Sequence, residues 1–186
     1  AALIDHLGLP DVRLVAQSMG GWTCLDYTLR HPERVRALVM ACTTGTLESP
    51  ELRAIFAAHQ GGEADLFARG IHPAAGERMA REQPALHHLY RQIDGLSFAL
   101  DKQVVRATLL QMRITPAEAV AALTVPVLCL TGEEDIVIPS AAVAHLASLI
   151  PGARLARVSQ AGHSVYFERP AAFNEIVDTF LKEAES

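Results

Sequence analysis

A serine, a carboxylate and a histidine, each set just past the end of a strand, are the minimum equipment for nucleophilic attack on a carbonyl carbon. Ser18 lies in Ala16-Gln17-Ser18-Met19-Gly20, which fits the pattern small-x-Ser-x-Gly. A sharp turn there pushes the hydroxyl out of a sheet, small residues at 16 and 20 let strand and helix approach, and N–H groups at the helix start face a developing oxyanion. The backbone N–H of Met19 is the first expected donor. The same residues also suit an ordinary helix start in which serine caps the first turn, so Ser18 by itself leaves two readings open. Its partners separate them. Thr131-Gly132-Glu133-Glu134-Asp135 supplies acids and Ala161-Gly162-His163 supplies a base. The chain order is therefore nucleophile, acid, histidine. Spacing alone leaves Glu133, Glu134 and Asp135 open.

The elements that must carry these residues are legible from periodicity. Leu3, Ile4 and Leu7 at helical spacing before Gly8 and Pro10 read as the end of a helix. A β-rich run over 12–16 is followed by the turn at 17–21 and a helical pattern to Arg30, closed by His31-Pro32. The run over 37–41 is apolar on both faces, as a buried strand of a parallel sheet must be, and completes a βαβ unit. From about 46 to 123 the pattern turns to helical segments rich in Ala, Leu, Arg and Glu. They are broken near Gly61-Gly62, His72-Pro73, Pro84, Gly95 and Pro116, and no strand is expected among them. Strand signatures return over 126–130 and 153–158, with a helix over 139–150 between them. A last helix carries Phe173, Ile176, Val177, Phe180 and Leu181 on one stripe. The expected fold class is α/β: a doubly wound, mostly parallel sheet with a helical cap inserted between two strands. All three reactive groups then fall at the C-terminal ends of strands, where open α/β sheets place their ligand sites.

Taken together, Ala16-Gln-Ser-Met-Gly-Gly, His31-Pro-Glu-Arg-Val-Arg-Ala-Leu-Val, Gly132-Glu-Glu-Asp and Gly162-His163 resemble the α/β-hydrolase family. The resemblance implies a core of residues 1–45 and 123–186, a helical cap over 46–122, and a triad of Ser18, Asp135 and His163. Asp135 is preferred because the residue three after Gly132 fits the family pattern. The sequence around Ser18 is most similar to the branch of small-molecule esterases, enol-lactonases, carbon–carbon bond hydrolases and cofactor-free haloperoxidase-like enzymes. Serine at 18, where dehalogenase relatives have Asp, argues against alkyl-halide displacement. Ala16 departs from the usual Gly. The resemblance also implies that the family's first four strands, and the His-Gly loop with the second oxyanion donor, would precede residue 1. Strand 12–16 would then show an open edge, to be filled by a missing N-terminal half or by an oligomeric contact. The implied reaction is hydrolysis of a small ester, lactone or related carbonyl compound through an acyl-enzyme, with no cofactor and no metal. The alternatives are a non-catalytic ligand- or partner-binding scaffold and an inactive partial chain.

Composition narrows the partners. The formal charge of −5 comes from 21 acidic and 16 basic residues in a chain of 186, half of them apolar. Neither sign forms a run, which disfavours nucleic acid and anionic membranes. No stretch approaches the roughly 20 apolar residues needed to span a bilayer. Cys24, Cys42 and Cys129 are odd in number and lie in apolar surroundings, so they read as reduced core thiols and suggest a cytoplasmic protein. Among the eight histidines, His6, His31 and His145 read as surface or packing residues, and His87-His88 as a helical pair facing different ways. Trp22 fits either an acyl pocket or the core. Phe56, Leu66, Phe67, Leu89, Tyr90 and Phe98 face either a substrate or one another. The arginines at 53, 69, 78, 81, 91, 106 and 113 are solvated surface unless one clamps a substrate carboxylate.

Overall fold

A computed structural model describes residues 1–59, 62–96 and 101–184. In chain order, helix α1 (Ala2–His6) leads to strand β1 (Val12–Gln17), helix α2 (Gly20–Arg30), a single 3₁₀ turn at Pro32–Arg34 and strand β2 (Val35–Ala41). A two-residue strand β3 (Leu47–Glu48) opens the helical region. It contains α3 (Pro50–Ala58), α4 (Glu63–Ala68), α5 (Gly76–Glu82), α6 (Pro84–Gly95) and α7 (Lys102–Gln111), and closes with β4 (Thr115–Pro116) and α8 (Ala117–Ala121). The chain returns to the sheet with β5 (Val127–Gly132), α9 (Ser140–Leu149), β6 (Arg154–Val158), α10 (Val165–Glu168) and α11 (Pro170–Glu183). The four long strands form one parallel sheet in the order β1-β2-β5-β6.

Alternation along β2 decides what each face buries. Leu38 and Met40 join Leu25 of α2 and Val143 and Leu146 of α9 in one apolar cluster. Ala37, Val39 and Ala41 point the other way, into a cluster with Val165 of α10 and Phe173, Val177 and Phe180 of α11. All of these β2 side chains are fully enclosed, which is why the strand lacks any polar alternation. Strand β1 is covered on one face only. Ala16 is buried and Val12 and Leu14 pack beside it, whereas Val15 on the opposite face is 46 % exposed. β1 also lies at the end of the sheet, with its outer edge unpaired among the described residues.

The observed elements differ from the expected ones in two ways. β5 continues through Thr131 and Gly132, read from sequence as loop, because their partners Arg157 and Val158 extend the ladder. The helical region also holds a strand pair that was not expected. Leu47 pairs with Thr115 and Glu48 with Pro116, reinforced by the Thr46 and Thr115 hydroxyls 2.7 Å apart. Two residues per strand carry no readable period, and the pairing joins positions far apart in sequence, so only the fold reveals it.

Candidate active site

The turn after β1 is strained in the way an exposed serine requires. Ser18 has φ 49°, a left-handed conformation rare for a residue with a Cβ, and its N–H is tied to the Ala41 carbonyl of β2 at 2.9 Å. Helix α2 begins immediately afterwards, and no side chain caps its N-terminus. The Ser18 hydroxyl is turned away from the helix, so the capping reading fails. Its Oγ lies 2.7 Å from His163 Nε2. Met19 N–H makes no hydrogen bond among the described residues and stands at the start of α2.

Space in this turn is tightest one residue beyond the expected place. A Cβ at Gly20 would meet Ala16 Cβ at 4.0 Å, an ordinary contact, so the Ala16 methyl fits without displacement. A Cβ at Gly21 would fall 2.3 Å from Thr43 Oγ1, at the end of β2. Gly21, not Gly20, is therefore the residue that lets α2 approach the sheet.

Burial separates the three candidate acids. Glu133 and Glu134 are exposed, and Glu134 is held by Arg78 at 2.6 Å. The Asp135 side chain is 0 % exposed and lies 2.9 Å from His163 Nδ1 through Oδ2. Its other oxygen, Oδ1, accepts from the N–H groups of Val137 and Ile138 at 2.8 and 2.9 Å. The Cys42 thiol is raised above the ordinary cysteine range by burial and then by the Asp135 charge. Cys42, Asp135 and His163 bring their ligating atoms within 4.8 Å of one another, but a thiol held protonated is a poor metal ligand.

His163 is fixed through its backbone on both sides. Glu168 accepts from the N–H groups of Gly162 at 2.8 Å and Ser164 at 3.1 Å. Gln17, the residue before Ser18, donates its side-chain N–H to the His163 carbonyl at 2.8 Å. The end of β5 presses on the same loop. A Cβ at Gly132 would fall 2.1 Å from the Gly162 carbonyl oxygen, so no other residue fits there. Burial pushes the Glu168 carboxyl up to about 7, against the opposing pull of the two N–H groups it accepts. Sequence reading missed Glu168 and Gln17. Both flank recognised motifs, yet nothing in their spacing signals a bond to the histidine loop.

A cleft of about 350 Å³ opens beside Ser18, walled by Met19, Trp22, Phe56, Leu109 and Arg113 among others. Trp22 is buried, and its indole N–H donates to the Leu109 carbonyl at 3.0 Å, so it both lines the cleft and ties α2 to α7. Among the described residues, Phe56 is the one aromatic residue of the helical region on this wall. Tyr90 instead accepts from the Ser164 hydroxyl at 2.9 Å and packs edge-on against Phe167. Leu66 is buried, Phe67 and Leu89 are exposed, and Phe98 lies outside the described residues. His87 is buried and accepts from the His72 N–H, while His88 is exposed. Among the described residues no helix is long and apolar enough to cross a membrane.

Comparison with known families finds a match over residues 1–170 to the family described as alpha/beta hydrolase fold. The chain belongs to the α/β-hydrolase family. It is 30 % identical to the 2-hydroxymuconate semialdehyde hydrolase of Pseudomonas putida, over 99 % of this chain and 67 % of that protein. Among solved structures, a thermophilic esterase from Thermogutta terrifontis superposes with a TM-score of 0.74 at 25 % identity, over 99 % of this chain and 70 % of that one. The enol-lactonase of Burkholderia xenovorans LB400 superposes with a TM-score of 0.73 at 25 % identity, over 97 % and 69 %. The chain thus spans about two thirds of the length of these relatives. The relatives are hydrolases, and they support a hydrolase-like enzyme.

Proposed function

We propose that this α/β-hydrolase is a serine hydrolase of small esters, lactones or related carbonyl compounds, working through an acyl-enzyme. The observation that carries the proposal is the continuous chain from Ser18 Oγ to His163 Nε2 at 2.7 Å and from His163 Nδ1 to Asp135 Oδ2 at 2.9 Å. His163 Nε2 takes the hydroxyl proton as Ser18 Oγ bonds to the carbonyl carbon, and Asp135 stabilises the imidazolium that results. The two N–H groups that donate to Oδ1 hold the Asp135 carboxylate in place against the imidazole. The Met19 N–H donates to the oxyanion. Collapse of the tetrahedral intermediate breaks the bond to the leaving alkoxide, which departs with the proton from His163. Water, deprotonated by His163, then releases the acid and restores Ser18.

In the same reading the helices α3–α7 form a cap over residues 46–122, and the open edge and bare face of β1 are covered by a further strand. The primary test is mass-spectrometric labelling of the full-length protein and of Ser18→Ala with a fluorophosphonate probe. Labelling at Ser18 that is lost in the variant supports the proposal. A folded protein that stays unlabelled defeats it. Hydrogen exchange along β1 tests the edge: protected amides on its outer side support a covering strand, and exchange at free-peptide rates opposes one.

A further inference from the structure

Seven arginines of the helical region are candidate substrate clamps by sequence, and their surroundings divide them. Arg53, Arg69, Arg78, Arg81 and Arg106 all pair with carboxylates. Arg91 lines a separate cavity with Gly70 and Asp94. Arg113 differs from all of these. It follows α7, is half-buried, and lines the cleft that opens at Ser18. Its guanidinium carbon stands 4.3 Å from the Phe56 ring centre and 5.7 Å from that of Trp22. Its Nε is fully enclosed without an acceptor, and among the described residues none of its N–H groups meets a carboxylate.

Two aromatic faces hold the guanidinium plane and recover part of its lost hydration, but they offer no oxygen to accept its N–H groups. A desolvated cation without a counter-ion is costly inside a protein. Two carboxylates on the elements around the cleft are engaged elsewhere: Asp135 by His163 and two amides, and Glu63 by Arg106. Burial alone draws the guanidinium below its ordinary range, with no opposing charge to restore it. A ligand in the cleft can complete this group, and the planar fork is matched best by a carboxylate.

We propose that Arg113 is a specificity residue and that the substrate carries a carboxylate besides the carbonyl that Ser18 attacks. The proposal rests on the reading of Ser18 as the nucleophile of this cleft, so its test separates the two. In the full-length protein, kcat/KM is compared for p-nitrophenyl butyrate and for the p-nitrophenyl monoester of glutaric acid. Wild type favours the anionic ester, and Arg113→Gln lowers the ratio of the two by at least about tenfold, as the loss of one charge-assisted pair requires. Arg113→Lys keeps the charge without the fork and falls between them, which also controls for misfolding. An unchanged ratio in Arg113→Gln overturns the proposal. A binding readout needs no chemistry: glutarate is titrated while the fluorescence of Trp22, the single tryptophan, is followed. Saturable quenching that Arg113→Gln weakens supports the anion site even if neither ester is hydrolysed, in which case only the nucleophile assignment fails. Absence of quenching together with equal turnover of both esters sinks the anion site and leaves the serine hydrolase standing.

Discussion

The two walls of the cleft are built differently. On the strand side, Ser18, Asp135 and His163 are each held by hydrogen bonds to neighbours that are themselves fixed, and Gln17 and Glu168 tie the histidine loop from both sides. On the helical side, Phe56, Leu109 and Leu110 provide apolar surface, and the one half-buried charge, Arg113, has no acceptor among the described residues. In the proposed reading, the groups that must keep one geometry through a reaction are satisfied inside the protein, and the group that recognises a ligand is left for the ligand to satisfy. Strand ends in a parallel ladder suit the first task because their backbone is already bonded, and helices joined by short breaks suit the second.

The comparison can be broken most decisively at Asp135. Asp135→Asn keeps the shape but cannot hold the same imidazole tautomer, and turnover should fall on the order of 10⁴-fold with little change in the fold. A drop of less than tenfold in steady-state kinetics would mean that the strand side is not a preorganised relay.

Gly132→Ala comes next, because its Cβ would lie 2.1 Å from the Gly162 carbonyl oxygen and only backbone movement can relieve it. The expected loss is about 4 kcal/mol of stability, read by chemical denaturation, with the His163 loop displaced in whatever remains folded.

Glu168→Gln is smaller and carries a pH signature. Gln offers a single acceptor oxygen where two N–H groups donate to separate carboxyl oxygens, so about 1–3 kcal/mol should be lost. The folded pKa of Glu168 is raised from 4.5 to about 7, so the folded state binds its proton more tightly than the unfolded chain. This contribution is fully present below pH 4.5 and is lost as pH rises through about 7. The variant lacks that slope, so the gap in unfolding free energy should narrow between the two values. A constant gap would show that the carboxyl titrates as an exposed one.

The smallest effect is expected across the cleft. Trp22→Phe keeps the apolar wall and removes the bond to the Leu109 carbonyl, which also accepts from Met112 N–H. A loss of about 1 kcal/mol, measured by thermal unfolding, is expected. A loss several times larger would make the α2–α7 contact a structural strut as strong as the strand-side bonds.

How much was legible follows the same division. The four long strands were readable because each holds a short β-rich stretch bounded by turn residues, and β2 in particular is apolar without interruption from Ala37 to Ala41. Ser18, Asp135 and His163 were readable as candidates because three strand ends carried reactive residues in one order. The choice among Glu133, Glu134 and Asp135 needed the family pattern, because the burial that sets Asp135 apart from the two glutamates is not written in their spacing. Ser18 as cap and Ser18 as partner of His163 were equivalent in sequence, since the difference is a side-chain direction toward a residue far along the chain.

The amino-acid sequence by itself determined the alternation of strands and helices, the small residues at the turn after β1 and the order of the reactive groups, because periodicity and turn chemistry are local. The tertiary structure decided which glycine the turn cannot lose, that β5 runs on to Gly132, that Glu168 and Gln17 hold the histidine loop, and which of seven arginines lines the Ser18 cleft with no carboxylate partner among the described residues. Each of those depends on what lies opposite a residue across the fold, and burial and pairing between distant segments leave no period in the chain to read.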